Sequence, residues 1–263
     1  MTLRGALPRV GLAAIVGLLL LSLARIGLLD AGRLGRGLRN LGDFATSLFP
    51  PDPASLPTLA GAMIETLEMA FVGTMLGTVV ALPLALLASP VLFGPGVTAS
   101  VKLLLAMVRT VPSLFWAIVF VVAVGLGPAA GALAVALYSL GYLGKLLYEM
   151  FDAVDPEVIE AIRGVGASRL QLARYAILPE AANGIVAQVL FMFEYNVRAS
   201  SIMGFVGAGG IGYYLLGYIQ LLRYDLLLTA LLVTLLVVIT IDRVSALIRR
   251  LYLFPVAPYA PGD

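Results

Sequence analysis

Residues 110–144 read TVPSLFWAIVFVVAVGLGPAAGALAVALYSLGYLG, a run of 35 positions without a charged side chain. A helix needs about 20 mostly apolar residues to cross the hydrocarbon core of a bilayer. The run is long enough for two such helices, and Gly125-Leu126-Gly127-Pro128 divides it, because glycine and proline punctuate helices. The spacing therefore predicts a hairpin of two spans. A membrane barrel is excluded by pattern, since its strands are short alternating segments rather than continuous apolar runs.

Similar runs lie on either side. Val10–Ala24 is charge-free, and its apolar pattern continues past Arg25 to Leu29. Residues 69–101 are charge-free, with Pro90, Pro95 and nearby small residues ending that helix near Ala88. Leu178–Met203 forms a fifth run that carries Glu180, Glu194 and Arg198, and Leu226–Ile241 a sixth. The expectation is an all-α polytopic membrane protein with about six transmembrane helices and no large soluble domain. Composition has the same sense: 61% of the 263 residues are hydrophobic and 12% charged, with a mean hydropathy of +1.02. A soluble domain cannot cover that much apolar surface, and a disordered chain is apolar-poor. The chain holds no cysteine and no histidine. No disulfide, thiolate or imidazole metal site, cysteine nucleophile or Ser-His-Asp triad can be built, and no catalytic or metal residue is assigned. A net charge of +2 is too small for a nucleic-acid partner.

Lys and Arg accumulate in cytoplasmic loops. With the N-terminus inside, Arg4, Arg9, Lys102, Arg109, Lys145, Arg163, Arg169, Arg174, Arg243, Arg249 and Arg250 fall inside, and only Arg33, Arg36, Arg39 and Arg223 outside. Both termini are therefore expected in the cytoplasm, with Ser89–Arg109 as an inside loop. Arg33, Arg36 and Arg39 are spaced for one face of a short helix on the membrane surface. The start has the outline of a signal peptide with Ser22-Leu23-Ala24 as its cleavage site. The apolar run continues beyond it, which favours an uncleaved first helix. Three segments follow: 1–60, the first span and an external amphipathic stretch; 61–250, the transmembrane core including a loop at 152–176; and 251–263, a cytoplasmic tail.

The loop is the informative polar stretch. Residues 152–175 read DAVDPEVIEAIRGVGASRLQLARY. Asp155 suits an N-cap and Pro156 the first helical position. Val158, Ile159 and Ile162 make an apolar face, and Gly164 and Gly166 end the helix. Ser168 caps a second short helix with Leu170, Leu172, Ala173 and Ala176 apolar, which Pro179 is expected to stop. Two short amphipathic helices at about a right angle would form a knob, either packed on the protein's own spans or docked in a partner's groove.

Glu160-Ala161-Ile162, three residues, Gly166, nine residues and then Ala176-Ile177-Leu178-Pro179 resembles the Glu-Ala-Ala loop of ABC-importer permeases. Ile162 and Ala176 depart from the pattern, both by apolar exchange. Glu194-Tyr195-Asn196-Val197 followed by residues 198–212, RASSIMGFVGAGGIG, resembles phosphonate-type permeases. Leu67–Ala70, Gly73-Thr74, Gly77, Ala81–Ala85 and Arg109–Ser113 resemble the same family. The resemblance covers most of Met63–Arg250. It implies the small importer permease fold, with two permease subunits, identical or homologous, enclosing one pathway. Two ATPase subunits would carry ATP and Mg and bind the inside loops through Glu160, Ala161, Gly164, Gly166, Leu178 and Pro179. A periplasmic or lipid-tethered binding protein would deliver a phosphonate, phosphite, hypophosphite or related oxyanion across the bacterial inner membrane. Alternatives are a methionine or compatible-solute permease, and an ion-coupled secondary transporter.

Gly207-x-Gly209-x-x-Gly212 matches the dinucleotide-binding fingerprint in letters only, because no strand–helix unit surrounds it. Gly204, Gly207, Gly209, Gly210 and Gly212 instead suit a sharp turn and close helix approach at an outer gate. No phosphate-binding Walker sequence is present, so this chain is not expected to hydrolyse ATP or to bind a cofactor. Glu194 and Arg198, four apart on one helix, are expected to pair. With Asn196, Ser200 and Ser201 they are the candidate pathway residues, since ionisable groups inside a membrane face a pathway or each other. Asn196 and Ser200 lie about 200° and 240° around the helix from Glu194 and need not share its surroundings. Glu65 and Glu68 are expected at the outer interface.

Overall fold

The structure, a computed structural model, describes residues 3–253. Among them every regular element is helical, and the chain divides into two compact units after Pro51. The tail expected at 251–263 lies mostly outside the described residues. In the first unit α1 (Leu3–Arg25) holds the first apolar run, of which Ala14–Arg25 forms an apolar helix shorter than a full span. Helix α2 (Ala31–Ser47) is capped by Asp30, whose carboxylate accepts the Arg33 backbone N–H at 3.0 Å. Leu34, Leu38 and Leu41 form an exposed apolar stripe along it.

In the second unit Asp52 caps a short 3-10 turn, Pro53–Ser55, that leads into α3 (Leu56–Ala88). Helices α4 (Pro95–Thr110), α5 (Ser113–Val124) and α6 (Pro128–Asp152) follow. Then come α7 (Pro156–Gly164), α8 (Arg169–Leu172), a π turn (Ala173–Ile177) and α9 (Leu178–Met203). A 3-10 turn (Gly204–Val206), α10 (Ile211–Gln220), α11 (Tyr224–Ile248) and a second π turn (Arg249–Leu253) complete it. Among the described residues four helical stretches are long and apolar enough to cross a membrane: Pro53–Ala88, Pro128–Asp152, Arg169–Val206 and Tyr224–Leu251. The pair α4 and α5, bent by 85°, adds a fifth if the two count as one broken span.

Three boundaries differ from the sequence expectation. Helix α3 starts at Leu56 rather than at Glu65 and Glu68, which lie about two to three turns inside it. The segment expected as an inside loop, Ser89–Arg109, holds α4, since Pro95 starts a helix and nothing breaks it before Val111-Pro112. Lys102, the charge that suggested a loop, lies 3.2 Å from Asp152 and 4.4 Å from the centre of the Tyr148 ring. The Gly125–Pro128 break falls where expected, but α5 has only 12 residues, about 18 Å, and reaches part of the way across a bilayer.

Small residues set the core. Gly73, Gly77 and Ala81 on α3 are buried against α6. A Cβ at Gly77 would lie 2.6 Å from Ser139 Cβ and 2.7 Å from Ala136 O, so any side chain there pushes the helices apart. Lower on α6, Leu143, Leu147 and Phe151 repeat every four residues and are buried with Leu172, Ala176 and Ile177. The polar loop is thus rooted in the membrane core. Val79, Val122 and Leu236 stand exposed, as side chains facing lipid would. Replacing Gly77 with Val is expected to cost about 1–3 kcal/mol by overpacking. It should lower the melting temperature of the detergent-solubilised protein, whereas Gly61→Val, at an open position, should lower it far less; equal losses would contradict the close seam.

Candidate functional site

The knob is built from its caps. Asp155 accepts the Glu157 N–H at 2.9 Å, and Pro156 opens α7. Ser168 and Gln171 form a reciprocal box, with the Ser168 N–H donating to Gln171 Oε1 at 2.8 Å. Between them Gly166 sits at φ +80° with open space around it, so the residue is required by backbone conformation and not by crowding. Ile159, Leu172, Ala173 and Ala176 are buried and Val158 and Ile162 half-buried. Arg163 Nη2 donates to Val91 O at 2.6 Å and Arg169 stacks over Phe93, which ties the knob to the α3–α4 turn. Glu160, Ala161, Gly164, Gly166 and Pro179 are left exposed and Leu178 is half-buried. Val165 (81% exposed) and Leu170 (79%) stand out as apolar groups with no cover. The expected stop at Pro179 does not occur: the π turn Ala173–Ile177 carries the helix into α9, with Pro179 in its first turn, where a missing N–H is tolerated.

On α9 the expected pair Glu194–Arg198 does not form. Arg249 Nη1 lies 2.8 Å from the buried Glu194 Oε1, an ionic contact whose N–H direction misses the oxygen as a hydrogen bond. Arg198 Nη1 instead donates to both carboxylate oxygens of Asp242, at 3.1 and 3.3 Å. Glu194 and Arg198 are answered from α11 and the π turn that follows it, in the opposite order, as antiparallel helices require. Asn196 is fully buried on another face, where its Nδ2 donates to Thr74 Oγ1 on α3 and Ser139 Oγ on α6, both at 2.8 Å. Ser201 donates to Val197 O at 3.1 Å, and Ser200 Oγ is buried without a hydrogen bond among the described residues. Arg198 lines a half-open cavity of about 280 Å³ between α5 and α9 with Ser113, Leu114, Tyr195, Ala199, Ile202 and Met203. The other four candidates on α9 do not line it. Tyr138 donates to Tyr195 at 3.1 Å with the two rings stacked.

The glycine segment is a stapled turn. Gly207, Gly209 and Gly210 all have positive φ, and a Cβ on Gly212 would run into the Ser201 carbonyl oxygen. The Gly210 N–H donates to Glu65 Oε2 at 3.1 Å and the Ile211 N–H to Thr66 Oγ1 at 2.8 Å. The Gly127 N–H donates to Gly207 O at 2.9 Å. Glu65 is thus no free interfacial carboxylate: it accepts at the start of α10, where the exposed N–H groups favour negative charge. Helix α9 and a 3-10 turn, not a strand, precede the glycines, so the dinucleotide reading has no structural support here.

Sequence reasoning missed Glu65, Thr66, Ser113, Tyr195, Asp242 and Arg249. Asp242 gave a usable signal, because an acid directly at the end of an apolar run calls for a partner. Glu194→Ala is expected to cost about 3 kcal/mol by leaving Arg249 unanswered in a low-dielectric setting, and Asp242→Ala less than about 1 kcal/mol because its partner is half-exposed. Double-mutant melting cycles should give coupling for 194–249 and for 198–242; coupling found only for 194–198 would contradict this pairing.

Residues 73–252 match the family described as binding-protein-dependent transport system inner membrane component. The phosphite transport system permease protein PtxC of Stutzerimonas stutzeri is 36% identical over 90% of this chain and 87% of its own length. The putative phosphite transport system permease protein HtxC of the same organism is 38% identical over 84% of this chain and 79% of its own. Among solved structures, an inward-facing MetNI methionine ABC transporter chain aligns with a TM-score of 0.63 at 26% identity, over 76% of this chain and all of that one. A bacterial alginate ABC transporter chain aligns at 0.62 over 87% of this chain and 96% of its own, and at 16% identity it bears on the fold alone. The chain therefore belongs to the binding-protein-dependent inner membrane components of ABC importers, a transport subunit and not an enzyme.

Proposed function

We propose that this chain is the permease of an ATP-driven importer for a phosphonate or a reduced phosphorus oxyanion such as phosphite or hypophosphite. The likeness to two phosphite permeases along most of the chain carries this reading. Two copies, or this chain and a homologue, enclose one pathway in the inner membrane, with both termini cytoplasmic. Two ATPase subunits hold ATP and Mg and grip the knob at Glu160, Ala161, Gly164 and Gly166, with Leu178 and Pro179 passing the movement into α9. A periplasmic or lipid-tethered binding protein delivers the anion to the outer face. Closure of the ATPases rocks the spans and frees the outer gate at Gly204, Gly207, Gly209, Gly210 and Gly212. Glu194 and Asn196 hold the pathway helices together, Ser200 and Ser201 lie buried beside them on α9, and Arg198 faces the pathway.

Reconstitution with the cognate ATPase and binding protein tests the substrate class. ATP-dependent accumulation of phosphite, hypophosphite or methylphosphonate, without accumulation of methionine or choline, is expected. Uptake of methionine or choline alone would move the chain to the other importer class, and ion-driven uptake without ATP would remove it from importers.

The knob and the topology have their own checks. Glu160→Lys should reduce co-purified ATPase about tenfold by setting a wrong charge in the interface. Gly166→Val should act similarly by straining a positive-φ position by about 1–3 kcal/mol. Undiminished ATPase recovery in both would refute the docking assignment. A cysteine replacing the exposed Leu126 should react with an impermeant reagent from outside, and one replacing Val165 only after lysis; the reverse would invert the topology.

A further inference from the structure

The cavity between α5 and α9 brings the Arg198 guanidinium to a mostly apolar recess. We propose that it is an anion subsite on the transport path, where Arg198 binds a small tetrahedral oxyanion by exchanging it for the Asp242 carboxylate. The proposal rests on the transport reading above and adds a place and a binding mode to it.

Depth comes first. Ser113 opens a helix of 12 residues that ends at the Gly125–Pro128 turn, so it lies about 18 Å along the chain axis from that turn. With that turn at the membrane surface, a hydrocarbon core of about 30 Å would put Ser113 in its middle region. A guanidinium there is costly unless it is answered, and such groups mark ion pathways. Arg198 is answered by Asp242, but through Nη1 alone. Its Nε and Nη2 make no hydrogen bond among the described residues, so planar donors remain for a second anion. Tyr195 adds a hydroxyl, and Ser113 adds another at the start of α5. The backbone N–H groups of Ser113 and Leu114 have no side-chain cap, because the residue before them is Pro112.

The remaining wall is apolar, formed by Leu114, Ala199, Ile202 and Met203. It lowers the dielectric on that side and strengthens the polar contacts against it. At about 280 Å³ the space suits an ion of a few heavy atoms, below the usual range for larger ligands. The ion pair tunes affinity. A lone arginine at this depth would retain an anion, and a site on a path must bind weakly enough to release. Asp242, on α11, competes for the same guanidinium and keeps occupancy brief. Exchange also loosens one tie between α9 and α11 each time the anion passes.

The chain has no native cysteine, so Ser113→Cys and Ala199→Cys each provide a single reporter on it. The reporters are read by mass in the assembled transporter, with its ATPase and binding protein, in detergent. Rates with sulfonatoethyl and trimethylammonioethyl methanethiosulfonate are normalised to a free thiol. The anionic reagent is expected to be favoured about tenfold, as field focusing in a low-dielectric cleft allows. Arg198→Gln should remove the preference, Asp242→Asn should raise it, and millimolar phosphite but not choline chloride should slow labelling. A normalised ratio near one, a ratio unchanged by Arg198→Gln, or no reaction at either reporter overturns the subsite. Phosphite uptake alongside any of those results would leave the transport reading standing. Anion preference with protection by sulfate but not phosphite, and no phosphorus uptake, would keep the subsite and refute the substrate class.

Discussion

A single buried amide joins the three helices on which the rest of the structure hangs. Asn196 on α9 donates one hydrogen to Thr74 on α3 and the other to Ser139 on α6, and all three residues are fully buried. Lipid offers no alternative partner, so separating any of the helices strands a polar group at a cost of several kcal/mol. Apolar packing alone would not fix this register, because lipid tails compete equally for apolar surface. The glycines of α3 bring α6 near enough for the amide to reach. The seam is thus set by what is missing from α3 as much as by what is present on α9.

From this seam the structure extends both ways. At one end, Glu65 and Thr66 on α3 hold the start of α10 through the Gly210 and Ile211 N–H groups. At the other, α6 carries Leu143, Leu147 and Phe151 into the cluster that buries Ile159, Leu172 and Ala176 of the knob. The knob and the glycine turn stand at opposite ends of α6, about 38 Å of helix, yet both are attached to the same pair of helices. A push on the exposed face of the knob is therefore borne by elements that also position the glycine turn. The ion pairs from α9 to α11 are of another kind: one is buried and the other half-exposed, so the exposed one can exchange at little cost.

Much of this was legible in the sequence. Charge-free runs located the apolar helices, because lipid tolerates few other patterns. The caps at Asp155 and Ser168 and the turn at Gly166 were legible because each is a local requirement. What failed were inferences that treated a charge as a boundary. Glu65, Glu68 and Lys102 lie within helices because distant groups answer at least two of them: Gly210 for Glu65, Asp152 for Lys102. The same limit misassigned Glu194 and Arg198. Spacing of four on one helix allowed a pair, while α11 and the π turn after it, about 50 residues away, supplied the partners. Pro179 failed as a stop since it stands in the first turn of α9, where a missing N–H is tolerated.

The central claim is that the exposed face of the knob receives an ATPase and passes its work into this seam. A photoreactive residue at Leu170, in the complex assembled with its ATPase and binding protein, tests it most directly. The account predicts an adduct with the ATPase whose yield changes between nucleotide-free and ATP-bound states, with none from the same probe at Leu126. Absence of an ATPase adduct at Leu170 in both states, or an equal yield at Leu126, would contradict it.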